Sequence, residues 1–126
     1  MYQLRIEGHI RVSTFSGPVT KEDVAQAMVQ LRELDAPHAT DALVDLTAAE
    51  KIAFDSFTVH TIADWSNSRA SGVRPRRVAF AVADPVAYGY ARAFQMLGGE
   101  GMELRIFRSV DAARAWLEGG GDDVEP

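Results

Sequence analysis

The stretch Val78-Ala79-Phe80-Ala81-Val82-Ala83-Asp84-Pro85 decides how the chain is read. Six consecutive apolar residues with no polar alternation are the signature of a strand buried on both faces, as in a parallel sheet. Asp84 then supplies a helix N-cap and Pro85 fits the first helical position, so a helix follows at once. A buried strand running straight into a helix is half of a βαβ unit. Upstream, Ala42-Leu43-Val44-Asp45-Leu46 is a second short apolar run, followed by a loop to Phe54. Downstream, Met102 to Phe107 is a third, with Met102, Leu104 and Ile106 on one parity.

Helices fit between and around these strands. Thr20 is an N-cap with Asp23 at N3, and Val19 and Val24 occupy the two staple positions. Val24, Ala27, Met28, Leu31 and Leu34 then recur at helical spacing. A second helix, capped by Asp55 or Ser56, is expected to carry Val59, Ile62, Ala63 and Trp65. A third runs through Val86, Tyr90, Ala93, Phe94 and Leu97 to Gly98-Gly99, and a fourth, capped by Ser109, packs Val110, Ala113, Trp116 and Leu117 before Gly119-Gly120-Gly121. At the front, Leu4, Ile6, Ile10 and Val12 share a parity around Glu7-Gly8-His9, which predicts a hairpin with these four inward and Arg5, Glu7 and Arg11 outward. Ser16-Gly17-Pro18 is expected to end its second strand. The fold class is therefore α/β: a five-stranded, mostly parallel sheet with an N-terminal antiparallel hairpin and about four helices.

Composition bounds the rest. At 126 residues the chain is the size of one domain, taken as 1–121, with an acidic, flexible tail at 122–126. Apolar residues reach 47%, so a core can form, but 19 of them are alanine. Three of the negatives behind a net charge of −5 are Asp122, Asp123 and Glu125, so acidity describes the tail more than the body. No cysteine is present, which removes disulfides, thiolate metal sites and cysteine nucleophiles. No apolar run approaches the ~18 residues of a membrane span, and the opening residues carry no signal-peptide core. A cytoplasmic location is expected.

The hairpin, Phe15-Ser16-Gly17-Pro18-Val19-Thr20, Leu43-Val44-Asp45-Leu46, Arg77-Val78-Ala79-Phe80-Ala81-Val82 and the closing Ile106-Phe107-Arg108-Ser109-Val110-Asp111-Ala112-Ala113-Arg114-Ala115-Trp116-Leu117 occur in that order. Together they resemble the SpoIIAA-like proteins, a bacterial group within the STAS and Sec14-like fold class whose members mostly have no assigned function. Better-known relatives, the anti-sigma-factor antagonists, use a phosphorylation switch in an Asp-Ser-Ser/Thr-Gly motif after the central strand. Laid on this chain, Asp55 and Ser56 match the first two positions, Phe57 stands at the phosphoacceptor and Thr58 replaces glycine. Phenylalanine cannot accept a phosphoryl group, so the resemblance implies that the switch is lost. Ser56 and Thr58 are the hydroxyls that remain for it; both are equally ordinary residues for a helix start.

Chemistry-bearing residues are few. In open α/β sheets ligands meet the carboxyl ends of the strands, which gathers Asp45, Asp84, Arg108 and Ser109. Asp45 and Asp84 would form a carboxylate pair with Arg108 as an anion clamp; equally, Asp84 and Ser109 have work as caps. His9, His38 and His60 fall in a turn, a loop and a helix, and His60 with Asp64 alone is poor metal spacing. No nucleophile motif is present. Arg74, Arg76 and Arg77 cluster before the central strand and read as a solvated loop. Without interleaved aromatics they do not suggest nucleic-acid binding. Tyr88, Arg92, Gln95 and Met96 form a helix side rich in interface residue types, with Phe57 and Trp65 nearby on the second helix. They either face a second copy or complete the monomer's core. The leading expectation is a non-catalytic binding or regulatory module, without cofactor or metal, acting through a protein partner or as a homodimer. The alternative is a small apolar or lipid-ligand carrier of Sec14-like type, with a pocket lined by Phe57, Trp65, Tyr90 and Phe94. An enzyme built on Asp45, Asp84 and Arg108 comes third.

Overall fold

A computed structural model describes residues 1–52, 60–61, 76–97 and 102–120. Its strands are β1 (Tyr2–Glu7), β2 (Ile10–Val19), β3 (Asp41–Ile52), β4 (Arg77–Ala81) and β5 (Glu103–Phe107). Three helices are described: α1 (Lys21–Arg32), α2 (Pro85–Leu97) and α3 (Val110–Ala115), the last continuing into a π-helical turn at Trp116–Gly120. The strands lie side by side in chain order, β1 antiparallel to β2 and the others parallel. This is the expected mixed α/β sheet. Of the expected second helix, His60 and Thr61 are helical and exposed; its other residues, Asp55, Ser56, Phe57, Thr58, Trp65 and Asp64 included, lie outside the described residues. So do Arg74 and the acidic tail.

Strand order fixes the layers. Each parallel crossover steps one place in the same direction, and right-handed connections then put α1 and α2 on one face. On that face Ala87 and Ala91 of α2 pack over Ala42, Leu46, Val78, Phe80, Val82 and Ile106. α3 follows the last strand and covers the opposite face, where Ala113, Trp116 and Leu117 meet Ile10, Val12, Leu43, Ala79, Ala81 and Phe107. The caps are as the residues predict. Thr20 and Asp23 form a reciprocal capping box, Asp84 Oδ1 accepts from the Ala87 amide at 2.9 Å, and Ser109 Oγ accepts from the Ala112 amide at 3.1 Å.

Three expectations need correcting. Only Gly8 and His9 separate β1 from β2, and Gly8 has φ +62°, the glycine-first arrangement of a two-residue turn. Across such a turn Ile6 pairs with Arg11 and Glu7 with Ile10, so parity reverses. Ile10 and Val12 therefore share a face with Arg5 and Glu7, while Arg11, expected outside, is buried on the face of Leu4 and Ile6, at 6% exposure. Burial pulls its guanidinium pKa down, and the nearby Tyr2 opposes this. Tyr2 bonds Ser13 Oγ at 2.9 Å on the same face.

Secondly, Ser16-Gly17-Pro18 does not end β2, and β3 does not stop at Leu46. Both run on together, to Val19 and Ile52, with register shifts between Thr14 and Ser16 and between Gly17 and Pro18. Bulges absorb the turn-forming residues without breaking the pairing. Thirdly, α2 is rotated from the expected orientation. Ala87 and Ala91 are buried, Phe94 is partly buried against the same core, and Val86 is 60% exposed. Alanine's small volume lets the helix backbone approach the sheet, which outweighs burying the bulkier Val86.

Candidate functional site

Residues predicted at the carboxyl edge fall where β4 and β5 end, at the level of Asp45, which pairs with Ala81. Each has a local task or none. Asp45 Oδ1 accepts from the amide and hydroxyl of Thr47, at 2.9 and 2.6 Å. Asp84 and Ser109 cap α2 and α3. Arg108 is exposed. No hydrogen bond or ion pair links Asp45, Asp84 and Arg108 among the described residues. The two carboxylates thus each stabilise their own turn, and Arg108 is bonded to neither.

On α2 the expected surface is present but redistributed. Tyr88 is 41% and Met96 78% exposed, and Arg92 is exposed, its guanidinium donating to Gln95 Oε1. Gln95 is drawn inward, its amide nitrogen donating to the Leu104 carbonyl at 2.9 Å. Phe94 stacks on Phe80 with ring centroids 5.9 Å apart, so it belongs to the core. Tyr90 is half-buried. Val86 joins the exposed side, and Gly89 lies between it and Met96 on the helix surface. A Cβ on Gly89 would have nothing within 4 Å, so no described neighbour requires a glycine there.

The amino edge of the sheet holds a cluster that the sequence reading missed. Asp41, the first residue of β3, is fully buried. Its amide donates to the His9 carbonyl at 3.0 Å. Around its carboxylate stand His9 Nε2 at 3.3 Å, Arg77 Nη2 at 3.7 Å and Arg76 Nε at 3.9 Å. None of these is a hydrogen bond, and both carboxylate oxygens are unsatisfied in that sense. The donors have other work. His9 Nε2 lies 3.0 Å from the Leu117 carbonyl, and Arg77 Nη1 donates to the Trp116 carbonyl at 3.3 Å. Guanidinium carbons of Arg77 and Arg105 sit 5.6 and 5.3 Å from the centre of the Trp116 ring, within cation–π range. An open groove beside the cluster is lined by Arg76, Arg77, Met102 and Glu103. The arginines read from sequence as a solvated loop therefore frame a buried carboxylate. A signal was available, since Asp41 directly precedes an apolar strand. Its partners, however, come from positions 9, 76 and 77, which sequence spacing does not join.

Comparison with known proteins fits this geometry. A family model described as SpoIIAA-like matches residues 10–118. Two solved structures share the fold, each with a TM-score of 0.60 and 16% sequence identity. One is an uncharacterized protein of the DUF3478 family with a SpoIIAA-like fold from Shewanella loihica PV-4, matched over 93% of this chain and 92% of that one. The other is the anti-sigma factor antagonist SpoIIAA in its unphosphorylated form, over 94% and 99%. At that identity the likeness speaks for the fold alone. No functionally curated protein matches the chain, and among the described residues no helix is long and apolar enough to cross a membrane. The family model spans β2, the parallel strands β3, β4 and β5 and the helix that follows them, and on that match this chain belongs to the SpoIIAA-like family.

Proposed function

We propose that this protein is a non-catalytic regulatory or binding module that acts through protein contacts, with the exposed side of α2 as its contact surface and a second copy of the chain as one occupant. The observation that carries the reading is the row Val86, Gly89, Ala93 and Met96. These residues are spaced three, four and three apart, so they line one side of the helix. Val86 and Met96 are largely exposed, and Gly89 leaves a notch between them. Glycine inside a helix costs about 1 kcal/mol relative to alanine, and no described neighbour accounts for it. A close-approaching partner would. The row is also symmetric in size, large at both ends and small in the middle. An antiparallel copy therefore sets Val86 against Met96 of its mate and Gly89 against Ala93, as a two-fold interface requires. Tyr88 and Arg92 flank the row with residue types favoured at interfaces. SpoIIAA, which shares the fold, is an anti-sigma factor antagonist, a role compatible with a module of this kind.

Sedimentation at micromolar concentration tests the proposal. The expected result is a dimer that Met96→Glu dissociates. Gly89→Ala is the sharper variant: it should raise monomer stability by about 0.5–1 kcal/mol while weakening dimerisation roughly tenfold, a change of about 1.4 kcal/mol. A strictly monomeric wild-type protein at those concentrations would remove α2 as a self-association surface.

A further inference from the structure

The Asp41 cluster has no part in the α2 surface, and its geometry points to a different property. α3 and its π-helical turn are held to the sheet in two ways. Ala113, Trp116 and Leu117 are buried against the strands. The other contacts are polar and fall within four consecutive residues at the middle of the segment. Arg114 Nη1 donates to Glu7 Oε1 at 2.6 Å, and the carbonyls of Trp116 and Leu117 are held by Arg77 and His9. Carbonyls in a last helical turn lack partners within the helix and carry its negative end, so donors from the sheet are what this terminus needs.

Both donors converge on one residue. Arg77 reaches the Trp116 carbonyl with one guanidinium nitrogen and faces Asp41 with the other. His9 presents the same nitrogen to Asp41 and to the Leu117 carbonyl. The carboxylate lies 3.3 to 3.9 Å from the imidazole of His9 and the guanidinium groups of Arg77 and Arg76 and accepts no hydrogen bond from them. It is a fully buried carboxylate that faces both donors without accepting a hydrogen bond from either. Charge removed from this point would loosen both donors together and leave the strand pairing intact.

We propose that α3 and its π-helical turn form a strap that opens from the sheet independently of the rest of the domain, with Asp41 setting the latch through His9 and Arg77. Opening bares Ile10, Val12, Leu43, Ala79, Ala81 and Phe107 on the face the strap covers. Asp41 and Arg77 are positioning residues in this device; the strap itself is the moving part. Local openings of this type occur at free energies below that of global unfolding and are read directly by amide exchange.

Native-state hydrogen exchange of the wild-type protein in sub-denaturing urea is the first test. The amides of Ala113, Trp116 and Leu117 are expected to exchange at least about tenfold faster than those of Leu43 and Ala79, with a urea dependence that is measurable, because opening exposes apolar surface, but smaller than that of global unfolding. Exchange of the strap in step with the strands, and with the same urea dependence, would overturn the proposal without any variant. The second test is Asp41→Asn. It should speed exchange at Trp116 and Leu117 by a further factor of about ten, leaving Leu43 and Val44 within about twofold of wild type. Equal acceleration in strap and strands would mean that Asp41 supports the whole fold, and the latch would be wrong. Should Asp41→Asn not fold, His9→Gln keeps a donor for the Leu117 carbonyl and removes the imidazole that faces Asp41. It is expected to accelerate the strap amides alone, by about threefold; no acceleration there would exclude His9 from the latch.

Discussion

The two faces of the sheet are covered by different means. On the crossover face α1 and α2 descend from connections between strands, and α2 comes close because Ala87 and Ala91 are small. On the other face one short segment, six residues of α3 and a five-residue turn, provides the cover described here. It compensates with size: Trp116 and Leu117 are almost wholly buried and Phe107 completely so. The Phe107 and Trp116 rings meet at 5.6 Å. Charge is distributed differently as well. The crossover face buries Arg11 in the company of Tyr2 and Ser13, whereas the strap face buries Asp41 beside Arg76, and beside His9 and Arg77, whose other contacts hold the strap. Helices in strand-to-strand connections are tethered at both ends to the sheet, which limits how far they move when they open. The α3 face depends on a few large side chains and on polar contacts at Arg114, Trp116 and Leu117.

The strongest way to break this contrast is to delete a ring from each face. Phe107→Ala removes a fully buried ring beneath the strap and is expected to cost about 4–5 kcal/mol, toward the upper end for such truncations. Phe80→Ala, at 8% exposure on the crossover face, should cost about 3 kcal/mol. There Phe94 and the neighbouring aliphatic side chains can settle into the space. Urea denaturation at constant m-value gives both numbers. Equal costs would show that the strap face relaxes as readily as the other and that its thin cover has no energetic consequence.

What could be read from sequence divides along the same line. Helix starts and central strands were legible because they are local, whereas the packing face of α2 was misread from spacing, since Ala87 and Ala91 rather than Val86 meet the sheet. Thr20 with Asp23, Asp84 with Pro85, and Ser109 each announce a helix start within four residues, because a cap acts on amides two or three positions away. Apolar runs gave the central strands for the same reason, and the C-terminal packing residues Ala113, Trp116 and Leu117 follow from helical spacing. What failed was relational. A two-residue turn reverses which side chains share a face, so the parity of Leu4, Ile6, Ile10 and Val12 misled. β3 continues through Thr47-Ala48-Ala49-Glu50-Lys51 because β2 runs beside it, a fact outside the segment itself. Asp41 carries no local signal of its surroundings, because His9, Arg76 and Arg77 arrive from two other places in the chain.

A smaller effect sharpens the comparison from the crossover side. Thr20→Ala removes one half of the α1 capping box, the bond from the Asp23 amide to Thr20 Oγ1 at 3.2 Å, and keeps the other, from the residue-20 amide to Asp23 Oδ2 at 3.0 Å. The expected loss is about 1 kcal/mol. Exchange at the strap amides Trp116 and Leu117, measured below global unfolding, should not change, because α1 sits on the opposite face. Faster strap exchange in this variant would mean that the faces communicate through the sheet.

The smallest predicted effect concerns acid. Glu7 is held below the ordinary glutamate pKa first by its hydrogen bond with Arg5 and then by the one with Arg114. Since the folded value lies below the unfolded one, this carboxylate contributes stability that is present above the unfolded value and is lost as pH falls through the folded value. The groups are partly exposed, so the contribution is modest and weakens with salt. Asp23 shifts the same way, chiefly through the Thr20 amide, so wild-type acid sensitivity alone cannot separate the two faces. Glu7→Gln can, because it removes the titrating partner of Arg114 and leaves the capping box alone. Between pH 6 and pH 3, the wild-type strap amide of Ala113 should lose protection relative to Leu43, after correction for intrinsic exchange, and in Glu7→Gln that relative loss should be smaller. An identical pH dependence in the two proteins would place the Arg114 contact outside the strap's energetics and leave the Asp41 cluster to hold it alone.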